Sequence, residues 1–234
     1  MCIRDRVDTM RHTQIAFARF FAFTVLSFWT VMVMAVDGVI EISGPTNITE
    51  SGSYRLTQNI EHIDSVITIE VSNVSLDLNG FTISYTGPQD FADGIAVFPS
   101  VQNVEIKNGT VTGFSRYGIF FPAGASPLDN DAQAILSRLR ITQNNAAGIS
   151  IETRRGVLIR DSVIANNGNW GVRMGTGQLL DSTVINNANF GLLGATSTGY
   201  GSNVFFGNNG GGAQVSASPK QIGINVCGTN TVCP

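Results

Sequence analysis

With 13% charged residues against 43% apolar ones and 26 glycines among 234 residues, the chain is too apolar for a disordered segment and carries about half the charge of an average soluble domain. Its net charge of −3 excludes the basic surplus of a nucleic-acid binder, and no nucleic acid is expected as a partner.

Residues 1–9 open with MCIRDR, which looks like translated adaptor read-through; Met10 is the natural start. The run FFAFTVLSFWTVMVM, residues 20–34, is uncharged and follows Arg11 and Arg19. Val33 and Ala35 stand at −3 and −1 of a signal-peptidase site, which predicts a signal peptide over 10–35, a domain over 36–234 and an exported, secreted or periplasmic product. The same run nearly reaches the ~17 residues of a membrane span, so an uncleaved anchor is the alternative and the one membrane contact foreseen. The segment that follows, GVIEISGPTNITESGSYRL, is expected to cap the open end of whatever comes after it.

What comes after is a repeat. DSVIANNGNWGV (161–172) returns as DSTVINNANFGL (181–192), and IKNGTVTGFSRYGI (106–119) and LSRLRITQNNAAGI (136–149) fit the same frame. SNVFFGNNGGGAQ (202–214) fits more loosely. The anchors are Gly94, Gly118, Gly148, Gly171, Gly191 and Ala213. A recurrence of roughly 20 to 30 residues marks a solenoid. Each unit holds short Val, Ile and Leu runs closed by Asn, Gly and Asp, with no helical stretch, so each unit is one coil of strands stacked in parallel on the next.

Register follows from the frame. Val111, Ile141, Ile164, Val184 and Phe206 share a position seven before the anchor and should form one inward row. Ile119, Ile149, Val172 and Leu192 should form another. Ile159 and Ile164 both read as inward yet lie an odd number of residues apart, so the chain must bend near Asp161. Asn144, Asn167, Asn187 and Asn209 fall four before the anchor, where a corner is due. Asn tolerates a left-handed backbone there, and stacked amides form a ladder. Cys227 and Cys233, in CGTNTVC, are expected to pair as a disulfide that pins the C-terminus.

The stretches SGSYRLTQNI, VSLDLNGFTI, VEIKNGTVTGF, YGI and NVCGTNTVCP resemble secreted bacterial proteins of the right-handed parallel β-helix, pectate-lyase-like superfamily, over about residues 38–234. The resemblance implies an all-β, single-domain, right-handed parallel β-helix of about eight coils. It does not fix an activity, because the shared motifs belong to coils and corners.

The superfamily includes lyases in which acidic residues hold calcium against an anionic sugar and an arginine abstracts the proton. Asn108, Arg138, Asp161, Asp181 and Asn203 share a position ten before the anchor, so Asp161 and Asp181 would meet on adjacent coils as a calcium site, with Arg138 as base. The structural alternative makes these corner residues, with Arg138 bridged to Asp161. Tyr117, Trp170 and Phe190 precede their anchors, with Ala147 in the remaining coil. Pointing outward they would form a strip on which sugar rings stack; pointing inward they would be core. Arg138, Arg140, Arg154, Arg155, Arg160 and Arg173 concentrate in one stretch that would attract an acidic glycan. TGPQDFADG (86–94) and the segment around LDNDAQ (128–133) read as protruding loops. No nucleophile triad, zinc spacing or paired-aspartate motif is present, and His62 is the one histidine after the leader.

Two functions are therefore expected in competition. One is a non-catalytic scaffold presenting a side face to a polysaccharide or cell-envelope surface. The other is a calcium-assisted lyase, or another carbohydrate-active enzyme, acting on acidic glycans.

Overall fold

The computed structural model describes residues 38–88, 91–124, 133–152, 156–216, 218–228 and 233, all within the compact unit Met34–Pro234. The leader, the LDND segment and Arg154 and Arg155 lie outside the described residues.

The chain winds as a parallel β-helix with three sheets around one axis. The first sheet begins at Val39–Ile42, Gly52–Leu56 and Val74–Asp77 and runs through the first halves of Val104–Thr112 and Gln133–Thr142. It continues through Gly156–Arg160 and the second halves of Val172–Leu180 and Leu192–Gly201, ending at Lys220–Gln221. The second sheet runs from Ile60–His62 to Val226–Cys227, and the third from Thr46–Ile48 to a closing bridge between Leu192 and Val215. Every strand pairing is parallel, as the repeat requires.

Side chains pile up along the axis. In the second sheet one inward row is Ile60, Ile83, Val111, Ile141, Ile164, Val184, Phe205 and Cys227, each in register with the next and all buried. Ile95, Ile119, Ile149, Val172 and Leu192 form the matching row of the third sheet. Fully burying such a side chain contributes about 1.5–3 kcal/mol, and the row repeats that gain on every coil. The bend foreseen near Asp161 is a left-handed residue (φ 53°), with Asn108, Arg138, Asp181 and Ser202 left-handed at the same corner.

The register reading fails by one residue in the last coil. Phe205, not Phe206, joins the inward row; Phe206 is 58% exposed. Asn208 replaces Asn209 in the ladder, Ser202 replaces Asn203 at the bend, and Gln214 replaces Ala213 as the anchor. The cause is local. A 3-10 turn over Asn208–Gly211 lengthens the last corner, so aligning on the residue after that corner displaces everything before it. In a strand such a slip turns a side chain to the opposite face.

The asparagine doublets divide their work. The residue just before each ladder asparagine takes the left-handed conformation (Gln143 φ 59°, Asn166 φ 56°, Asn186 φ 55°), not the ladder asparagine itself as the sequence suggested. The ladder asparagine is buried. Asn144 donates both its backbone N–H and its Nδ2 to Asn167 Oδ1, at 3.1 and 3.0 Å. Asn167 does the same to Asn187, Asn187 to Asn208, and Asn208 to Gln214. The spare Nδ2 hydrogens of Asn167, Asn187 and Asn208 reach the carbonyls of Ile141, Ile164 and Val184. A second buried ladder, through Ser162, Ser182, Asn203 and Asn225, closes the corner after the first sheet. Cys227 and Cys233 form a disulfide with Cα atoms 5.1 Å apart.

Candidate functional site

Each expected site residue falls on a corner. Asp161 and Asp181 take equivalent places on successive coils, since Arg160 pairs with Leu180 and Ser162 with Ser182. Both are exposed. Arg160 bridges Asp161 at 3.3 Å. Arg138 turns away from Asp161: its Nε donates to Asn108 Oδ1 at 2.6 Å, and Asn108 Nδ2 in turn donates to both oxygens of Asp77 at 3.1 Å. The arginine belongs to a row of corner hydrogen bonds. Among the described residues no three His, Cys, Asp or Glu side chains gather as a metal would need.

The four described arginines of that stretch do not gather into one patch. Arg138 and Arg160 lie at the edge of the first sheet, Arg140 is on the second, and Arg173 is on the third. A chain that circles its axis about every twenty residues spreads neighbouring charges around the molecule.

The aromatic row lies at the corner between the second and third sheets. Tyr117, Trp170 and Phe190 are half-buried, and none joins the core cluster. Ala147 is fully buried and interrupts the row. Two basic side chains lie against it. The Arg173 guanidinium sits 5.4 Å from the Trp170 ring centroid and bonds Glu152 at 2.7 Å. The Arg116 guanidinium lies 4.5 Å from Phe120 and 5.2 Å from Tyr117, whose rings are 4.8 Å apart. Such cation–π contacts hold planar groups rigidly at a surface.

Arg116 is fixed by a residue absent from the sequence expectation. Asp93, 2% exposed, takes two hydrogen bonds from Arg116, Nε to Oδ1 at 2.8 Å and Nη2 to Oδ2, and a third from the Tyr117 backbone. The carboxylate beside it holds the Arg116 guanidinium's pKa above its usual value. The signal was legible: Asp93 precedes the anchor Gly94 as Tyr117 precedes Gly118, so the frame already placed an acid at the end of the aromatic row.

The same corner holds a groove of about 450 Å³ lined by Tyr85, Ser115, Gln143, Asn145 and Asn166, with Gly87, Gly113 and Gly168 opening its floor. At Gly168 a Cβ would stand 2.2 Å from the Asn145 carbonyl oxygen, so the close approach of coils admits only glycine. The corner segments are tied to one another through the backbone, Asn145 N–H to Phe114 O at 2.7 Å and Gly168 N–H to Asn144 O at 2.8 Å. The groove therefore has a rigid wall. Sequence reasoning missed it because its far side, Tyr85 to Gly87, is the end of the strand Thr82–Tyr85 and the start of the TGPQDFADG loop, whose approach no repeat reveals.

The sheets, ladders and left-handed corners define a β-helical solenoid. The chain matches the model of the right handed beta helix region over residues 47–227 and belongs to that family. No curated protein matches it. Among solved structures, it is similar to the A-module of the mannuronan C-5 epimerase AlgE4 of Azotobacter vinelandii, at 13% identity and a TM-score of 0.49, over 81% of this chain and 76% of that one. Among the described residues no helix is long and apolar enough to cross a membrane.

Proposed function

We propose that the protein is a non-catalytic scaffold that presents the corner between its second and third sheets to a carbohydrate outside the cytoplasm. The observation that carries this reading is the position of Tyr117, Trp170 and Phe190: half-buried and outside the core. An aromatic ring with one part packed and one part wet is the form in which such side chains serve at interfaces. The disulfide between Cys227 and Cys233 fits an oxidising compartment. The occupation of Arg138 by Asn108 argues against its use as a free base beside Asp161 and Asp181, which a calcium-assisted lyase of acidic glycans would require.

Binding of the purified protein to an array of neutral and acidic glycans tests this. Capture of a glycan that is lost in Trp170→Ala, with the melting temperature kept, is the expected result. A new absorbance from an unsaturated uronic product, dependent on calcium and abolished in Asp181→Ala, would overturn it in favour of the lyase.

A further inference from the structure

The groove beside the aromatic row has a composition that selects among sugars. Its side-chain lining consists of amides and hydroxyls: Tyr85, Ser115, Gln143, Asn145 and Asn166. Among the described residues no carboxylate, lysine, arginine or histidine lines it. Asp93 and Arg116, at the same corner, are spent on each other. Gln143 and Asn166 occupy equivalent left-handed positions on successive coils, and Asn186 continues the row. Their exposed side chains therefore repeat along the axis at the ~4.8 Å spacing of strands. That interval is close to the advance of one sugar in an extended β-1,4-linked chain. Each amide offers both a donor and an acceptor, which is what a hydroxyl needs. A carboxylate placed there would meet no cation among the described lining residues to favour it over a hydroxyl.

We infer that this groove binds a neutral β-1,4-linked hexose chain running along the solenoid axis, with Gln143 and Asn166 bonding the hydroxyls of successive sugars. The inference rests on the reading of this corner as a glycan face and narrows it: the ligand is uncharged. It also departs from the acidic glycan that the arginine-rich stretch suggested.

Glycine is the informative substitution, because it deletes the amide and keeps the left-handed backbone. Isothermal titration of the full chain is run with a β-1,4-glucan hexasaccharide, a β-1,4-mannan hexasaccharide and an oligouronate of equal length, at low and high salt. At least one neutral chain should bind, with an affinity that salt leaves unchanged and the uronate at least about tenfold weaker. The double variant Gln143→Gly/Asn166→Gly should lose about tenfold or more in affinity, the equivalent of two hydrogen bonds, at an unchanged melting temperature. Tighter binding of the uronate, or full affinity in the double variant, overturns the inference. If Trp170→Ala then abolishes binding, the glycan-face reading survives without this groove. If no sugar of either kind binds, both fall.

Discussion

A single asparagine in this fold can be either indispensable or replaceable, and its neighbour the reverse. Asn167 Oδ1 accepts two hydrogen bonds from Asn144 while its Nδ2 serves Asn187 and the Ile141 carbonyl, all buried. Asn166, one residue earlier, is exposed and contributes its left-handed backbone. Removing one partner from buried polar groups costs about 1–3 kcal/mol, so Asn167→Ala should destabilise by about 3 kcal/mol in urea unfolding. Asn166→Gly should stay within about 0.5 kcal/mol of wild type. Equal losses in the two variants would contradict the division of labour. The recurrence of the doublet was legible in the sequence. Which member turned the corner was not, because both tolerate a left-handed backbone and only the neighbouring coil decides which amide is enclosed.

Between strands, the outer face of the first sheet carries a separate network. Glu105 accepts from Ser75 Oγ at 2.7 Å and is bridged by Lys107 Nζ at 2.5 Å. These contacts, Lys107 foremost, hold the Glu105 carboxyl below its usual range. A carboxylate whose pKa is lowered by folding adds stability above its unfolded pKa and loses it as pH falls through the folded one. The wild-type protein should therefore lose stability on acidification below about pH 5. Glu105→Gln should flatten part of that loss, read as melting temperature against pH; identical acid limbs would remove Glu105 from the account. At this scale the sequence disclosed strand rows wherever the coil length was constant, as Ile164 and Val184 show. It misplaced Phe206 and Asn209 where the Asn208–Gly211 turn lengthens the corner, since periodicity carries no information about an insertion within it. It also could not show that Arg138 reaches toward Asn108 and not Asp161. Both neighbours are one coil away, and side-chain direction along an axis is not written in a repeat.

For the molecule as a whole, winding converts sequence neighbours into strangers and residues a coil apart into neighbours. Charges close in sequence disperse over three sheets, while Asp93, Tyr117, Trp170 and Phe190 are brought to one corner. The glycan face is therefore a property of the corner as a row. The measurement that tests it most directly is a backbone and indole chemical-shift map of the labelled protein, recorded as a neutral β-1,4-linked hexasaccharide is added. Perturbations should concentrate on Ser115, Gln143, Asn145, Asn166 and the Trp170 indole, leaving the outer face of the first sheet unchanged. Shifts centred on Ser75, Glu105 and Lys107, with the corner silent, would contradict the account.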